Sequence, residues 1–219
     1  MRVVVIGGSG RTGRLIVEQL VKAGHETVAT IRNSKHMASM VKLGAETVML
    51  DLEESTGPDF QAQFKGADAI VFAAGSAEGE SSAIDRAGVT KTVRAAKSAG
   101  VKRYLAIASI GASTGMKLSG DFNTEEMRDY YKQKRAGNKH IRESGLDWTI
   151  LEPTSLTTGK ATGKVKLSEE QLDPDTTISR ADVAAVLVAL LETEKSIGHA
   201  YQLVAGKTPI AKAVAAVTA

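Results

Sequence analysis

The chain has 219 residues, a formal net charge of +3, 4% aromatic residues and no cysteine. That length suits one domain with a substantial core, and the missing cysteines exclude disulfides, thiolate nucleophiles and cysteine metal sites. Basic residues are scattered and aromatics scarce, so no nucleic-acid partner is expected.

Residues 2–6 are an apolar β-branched run that ends in three spaced glycines, Gly7, Gly10 and Gly13, ahead of an amphipathic stretch over 15–23. Strand, glycine turn and helix in this order make a nucleotide phosphate site, because a helix N-terminus offers free N–H groups and a positive dipole end. Gly7 permits the tight turn, Gly10 lets the backbone approach a pyrophosphate, and Gly13 lets the helix pack close on the strand. A Walker-type loop fits poorly, since no Gly-Lys-Ser/Thr follows. The second strand, 26–31, ends without the acid that holds ribose hydroxyls in NAD-preferring sites. Arg32 offers instead a guanidinium that can fork onto a 2′-phosphate, with Arg11 and Lys35 adding charge. NADP(H) is therefore expected over NAD(H).

A helix over 36–43 and a strand over 47–50 lead to Asp51, placed either to accept from an adenine amino group or to cap a turn, and to Leu52, placed to pack on the ring. A helix over 59–64 and a strand over 69–72 follow. Ala74, Gly75 and Ser76 keep the next turn small where a sugar and pyrophosphate would lie. A helix over 83–99 and a strand over 102–108 come next, and Gly24, Gly44, Gly66 and Gly100 each stand just past a helix. The strands lack polar alternation, as expected when both faces are covered. The βαβ order predicts an α/β, Rossmann-type doubly wound fold, a mainly parallel sheet with helices on both faces.

Residues 111–123, rich in Gly and Ser, read as a loop over the carboxyl edge of the sheet. Asn123, with Glu126 three residues on, is the expected cap of a helix over 124–144. A strand over 148–153 stops at Pro153. Residues 154–175 read as irregular, apart from a short strand at 164–167. Ser179 and Asp182 form a capping box for a helix to residue 191, followed by a strand over 200–204 and a helix over 210–217. The chain reads as one domain, 1–219, with a small extension from 154 onward on the substrate side. Exposed helix faces over 83–99 or 124–144 leave a homodimer or a monomer open. The four histidines lack metal-ligand spacing, so no metal is expected. With a first strand at Arg2 and no long apolar stretch, neither a targeting segment nor a membrane partner is expected, and the location is expected to be cytoplasmic.

Ser109 ends the fifth strand, and Tyr130 and Lys134 share one face of the long helix. In a Tyr-x-x-x-Lys pair the ammonium stabilises phenolate and can hold the nicotinamide ribose, the phenol exchanges a proton with a carbonyl or hydroxyl, and the serine polarises that oxygen. Tyr131 and Lys132 are expected to point elsewhere. The plainer alternative is a core-edge tyrosine beside a solvated lysine.

These residues, with the run 100–109, Ser144 to Pro153 and Ser179 to Ala184, resemble the atypical short-chain dehydrogenase/reductases, above all the small NAD(P)H-binding, NmrA-like and biliverdin/flavin-reductase-like members. The resemblance implies a cofactor site of Gly7, Gly10, Arg11, Thr12, Gly13, Arg32, Asn33, Asp51, Leu52, Ala74, Gly75 and Pro153, and a catalytic set of Ser109, Tyr130 and Lys134. It implies an NADPH-dependent oxidoreductase transferring hydride to a small carbonyl, quinone or flavin-like acceptor. A non-catalytic NADP(H)-binding redox sensor is the alternative from another class. A nucleotide-sugar epimerase or dehydratase is a third, for which a larger second domain is expected. One departure stands out: Glu152-Pro153-Thr154 replaces the usual Arg-Pro-Gly, which puts an acid on the substrate side.

Overall fold

The structure, a computed structural model, describes residues 1–75, 82–116 and 123–218. Ser76 and residues 117–122 of the expected loop lie outside the described residues. Seven parallel strands form most of one sheet: β1 (Arg2–Ile6), β2 (Glu26–Ile31), β3 (Glu46–Met49), β4 (Ala69–Phe72), β5 (Arg103–Ile107), β6 (Asp147–Pro153) and β10 (His199–Ala205). The antiparallel strands β8 (Lys164–Ser168) and β11 (Thr208–Pro209) complete a nine-stranded order β11-β8-β10-β6-β5-β4-β1-β2-β3. Strand order reverses between β1 and β4, which opens a crevice beyond the carboxyl ends of the strands, where ligands bind in such sheets.

The β1 sequence shows why alternation is absent. Val3 and Val5 join the core on one face, while Val4 and Ile6 join the core on the other, and all four are at most 1% exposed. Helices α1 (Gly13–Lys22) and α6 (Arg180–Leu191) cover the first face through Ile16, Val17, Leu20, Val183, Leu187 and Leu190. Helices α3 (Gly57–Phe64), α4 (Val89–Ala99) and α5 (Glu125–Arg142) cover the second through Phe60, Phe64, Val93 and Ile141. The short helices α2 (Met37–Lys42) and α7 (Ile210–Val217) flank the edges of the first face.

Arg103 joins several of these elements. Its Nη1 donates to Asp147 O (2.9 Å) and Thr149 Oγ1 (2.8 Å), and its Nη2 to Leu190 O (3.0 Å) and Ser196 Oγ (2.8 Å). Burial lowers its pKa to about 10, so the guanidinium still carries its charge at neutral pH.

Three expectations need correction. The segment read as a helix over 83–99 is π-helical over Ser82–Gly88 before α4 begins. The cap of α5 is Thr124, whose hydroxyl accepts from Met127 N at 3.2 Å, while Asn123 accepts instead from Arg128. The stretch after Pro153 is not irregular throughout: β7 (Ser155–Thr157) and β9 (Thr177–Ser179) pair in parallel as a second, two-stranded sheet. Three-residue strands are too short to show a period, and their Ser and Thr content reads as loop. Asp182 fastens this region to α6, because its buried carboxylate accepts from Thr162 N, Gly163 N (2.8 Å) and Ser179 Oγ (2.8 Å). No helix among the described residues is long and apolar enough to cross a membrane.

Candidate active site

The glycine turn is built as a cradle. Gly7 has φ +75°, which disfavours any side chain, and Gly10 N donates to Gly7 O at 2.9 Å to close the turn. Thr30 holds the turn to β2, its hydroxyl accepting from Gly7 N (3.1 Å) and its carbonyl from Gly8 N (3.1 Å). A Cβ on Gly13 would stand 2.1 Å from Gly7 O, so only glycine lets α1 start this close to β1. Thr12 is the N-cap residue of α1 but makes no side-chain cap; Arg14 N and Leu15 N donate to Gly10 O (2.9 Å) and Thr12 O (3.0 Å), while Thr12 N and Gly13 N have no acceptor among the described residues. The residues present therefore fit an anionic group lying on the start of α1.

Around the cradle, Arg11, Arg32, Asn33 and Lys35 are exposed, and Arg32 makes no ion pair among the described residues. The Asn33 side chain accepts from Lys35 N (3.0 Å) and so shapes the turn after β2. Asp51 caps its own turn: Oδ1 accepts from Glu53 N at 2.8 Å, leaving Oδ2 without a hydrogen bond among the described residues. Lys91 on α4 fixes the same turn by donating to the carbonyls of Leu52 (2.7 Å) and Ser55 (2.6 Å). Ala74 lies against the cradle, since a Cβ on Gly7 would meet its N and Cα at 2.9 Å; Gly75 beside it is exposed. Pro153 is buried on β6 and its carbonyl accepts from Ile110 N at 3.0 Å.

At the other end, Ser109 stands two residues past β5 rather than within it. Tyr130 and Lys134 share a face of α5, with Nζ 5.5 Å from the Tyr130 ring centroid. The Lys134 ammonium is buried and pairs with Asp85 of the π-helical turn at 2.8 Å. Gly137 makes that pairing reachable, because any side chain there would collide with Asp85 O, 2.3 Å from a Cβ. Burial works against the Lys134 charge, but Tyr130 and Asp85 together outweigh it and hold its pKa above the usual lysine value.

Tyr131 corrects the reading that it points elsewhere. It is 5% exposed, and its hydroxyl lies 3.5 Å from Ser109 Oγ, the outer limit of a hydrogen bond. Burial raises its phenol pKa, opposed by the Ser109 hydroxyl. Helical spacing does not show this contact, because adjacent residues lie about 100° apart on the helix and either one can face the strand end. Glu152 is fully buried on β6 and accepts from Asn138 Nδ2 at 2.9 Å. Asp85, Tyr131 and Asn138 were not visible as site residues in the sequence. No motif marks them, and they meet only through the packing of α5 on the turn before α4 and on β6.

A model of the NAD(P)H-binding family matches residues 7–194. Among curated proteins, the chain is 33% identical over 221 residues to YhfK of Bacillus subtilis, described as an uncharacterized sugar epimerase, covering 98% of this chain and 99% of that one. A solved structure from Bacillus halodurans, provisionally named an NAD-dependent epimerase/dehydratase, is 34% identical with a TM-score of 0.90, covering 99% of this chain and 100% of that one. The oxidoreductase ylbE from Lactococcus lactis is 26% identical with a TM-score of 0.87, covering 99% and 96%. With relatives aligned along nearly the whole length and a family model spanning most of it, this chain belongs to the NAD(P)H-binding family, with a Rossmann-type fold and a dinucleotide as its cofactor.

Proposed function

We propose that the protein is an NADPH-dependent oxidoreductase acting on a small carbonyl, quinone or flavin-like acceptor. The observation that carries this reading is the buried Lys134 ammonium beside the half-buried Tyr130 phenol, on the helix whose Tyr131 reaches Ser109. Gly7, Gly10, Thr12 and Gly13 would hold the pyrophosphate, Arg11, Arg32 and Asn33 the 2′-phosphate side, Asp51 and Leu52 the adenine, and Ala74, Gly75 and Pro153 the sugar and nicotinamide side. Bound NADPH would supply the hydride. Tyr130 gives its hydroxyl proton to the acceptor oxygen, and Lys134 stabilises the phenolate left behind. Ser109 polarises the same oxygen, and Tyr131, with its raised pKa, keeps its proton and fixes Ser109.

Two variant sets test this reading. Tyr130→Phe is expected to lower kcat by about 1,000-fold with NADPH affinity unchanged, and Tyr131→Phe by only about 10-fold. The reverse order of effects would make Tyr131 the proton donor. Arg32→Ala is expected to weaken NADPH binding by about 30-fold, down to the NADH level, because one charge-assisted fork to phosphate is lost. Equal binding of NADPH and NADH by the wild-type protein in a calorimetric titration would remove the role of Arg32.

One observation favours the second reading, an NADP(H)-binding redox sensor. Asp85 balances the Lys134 charge at 2.8 Å, which weakens its pull on Tyr130. A sensor shows no turnover and a partner affinity that differs between NADPH and NADP⁺. The epimerase or dehydratase reading is not set aside by chain length, since the YhfK relative is spanned almost completely. Net NADPH oxidation by a carbonyl acceptor separates the readings, because an epimerase returns its hydride.

A further inference from the structure

Arg180 opens α6 with a charge that no acid balances. Neither Arg180 nor Arg11 makes an ion pair among the described residues. Asp182, the acid two residues on, is buried and already occupied by Thr162, Gly163 and Ser179. Among the described residues the Arg180 side chain makes one hydrogen bond, from Nη1 to Thr158 Oγ1 at 3.3 Å. That bond fixes one edge of the guanidinium and supplies no negative charge. The α6 N-terminus itself is closed by Ser179, whose Oγ accepts from Asp182 N at 3.0 Å, so the helix end is not what stands open.

The fold carries this cation towards the glycine cradle. β7 starts two residues past the end of β6, β9 pairs with it, and α6 follows β9 directly, so α6 starts at the carboxyl edge of the sheet. α1 starts at the same edge, directly after the cradle. The two helices lie side by side on the first face, and Gln19 Nε2 of α1 donates to Ala181 O in the first turn of α6 at 3.2 Å. Burial lowers the Arg180 pKa and the Arg11 charge lowers it further, so the two guanidinium groups stand in each other's field. Like charges held together cost stability until an anion joins them. Thr12 N and Gly13 N, without acceptors among the described residues, offer the same anion two more donors.

We propose that Arg180 is a cofactor-binding residue whose guanidinium reaches from α6 to the pyrophosphate on the glycine cradle. Its place in the fold favours the pyrophosphate over the 2′-phosphate. Arg32 follows β2, on one side of β1, whereas α6 is reached from β6, on the other side. Arg180 also belongs to the extension beyond residue 154, to which Thr158 and Asp182 fasten it. Binding of the pyrophosphate thus ties the substrate-side segment to the cofactor.

The inference rests on the placement of the pyrophosphate on Gly7, Gly10 and Gly13. Calorimetric titrations with NADPH and NADH test it. Arg180→Ala is expected to weaken both ligands alike, by about 10-fold, because both carry the pyrophosphate. Arg180→Gln, which keeps a donor for Thr158 but no charge, should behave in the same way. Inorganic pyrophosphate should compete with NADH on the wild type, with an inhibition constant about 10-fold higher on Arg180→Ala. The ligand-free melting temperature of Arg180→Ala should equal or exceed that of the wild type, since one of two like charges is gone. A guanidinium that only anchors residues 158–163 gives the opposite pattern, a lower melting temperature with affinities unchanged, and that result overturns the proposal. So does a loss confined to NADPH, which would move Arg180 to the 2′-phosphate. Gly13→Ala separates the two failures. If it weakens binding and Arg180→Ala does not, the arginine fails and the cradle stands. If neither variant weakens binding, the pyrophosphate does not lie on the cradle and the proposal falls with that reading.

Discussion

A Gly13→Ala protein is expected to bind NADPH at least about 100-fold more weakly than the wild type, a loss of about 3 kcal/mol. The added methyl would stand 2.1 Å from Gly7 O, 2.9 Å from Gly7 C and 3.1 Å from Gly8 Cα. All three are backbone atoms, so no side chain can swing away and the turn itself must shift. That turn is the proposed phosphate cradle, so the displacement falls on the ligand site as well as on the packing of α1 against β1. Gly24→Ala is the control. Unlike Gly13 it stands at a positive φ, +83°, yet a Cβ there meets nothing within 4 Å. It should cost about 1 kcal/mol of stability and leave cofactor affinity alone. Calorimetric titration of both variants decides the matter, and a Gly13→Ala affinity within about threefold of wild type would show that the cradle tolerates the shift.

Arg103→Met should lower the melting temperature at pH 7 by about 10 °C, a destabilisation of about 4 kcal/mol. The guanidinium donates to two carbonyls and two hydroxyls drawn from β6, α6 and the turn over Glu194–Ser196. Its removal takes a donor from each of the four; Leu190 O keeps Ser196 Oγ (2.7 Å) and Thr193 N (3.2 Å), so the cost falls on Asp147 O, on the two hydroxyls and on the lost junction between the three elements. Arg103→Lys should recover less than half of the loss, since one ammonium cannot serve two forks. If thermal unfolding of the Met variant lay within about 2 °C of wild type, the Arg103 bonds would add nothing that solvent does not replace.

The Rossmann half of this molecule was readable because its residues carry period and punctuation. The bounds of β1, β2 and β4 follow from apolar runs closed by Gly7, by Arg32 and by the small residues 73–75, and Gly7, Gly10 and Gly13 announce a turn that positive φ and close backbone approach require. The reading was weaker where one residue decides. Asn123 and Thr124 are both good caps, and only the structure shows which hydroxyl or amide meets the helix. It failed where chemistry depends on two elements meeting. Asp85 sits 49 residues before Lys134, in a π-helical turn that helical spacing does not suggest. Tyr131 had the same sequence credentials as Tyr130 except for the lysine four residues on, and packing against Ser109 separates them. Glu152 stands out in the sequence for its charge, but its burial and its contact with Asn138 belong to the packing of α5 on β6.

The strand order has a consequence for how the chain is made. β8 hydrogen-bonds to β10 on one side and β11 on the other, and never to β6, which precedes it in sequence. Residues 164–168 must therefore wait for residues 199–205 before they have a ladder to join. During vectorial synthesis the dinucleotide half, β1 to β5, can close while the far wall is still an unpaired segment, because its contacts are local and those of β8 are not. The late wall should unfold as one unit with β10 in native-state hydrogen exchange, leaving β1 and β4 protected. In such a molecule the cofactor side would be assembled first and the substrate side last.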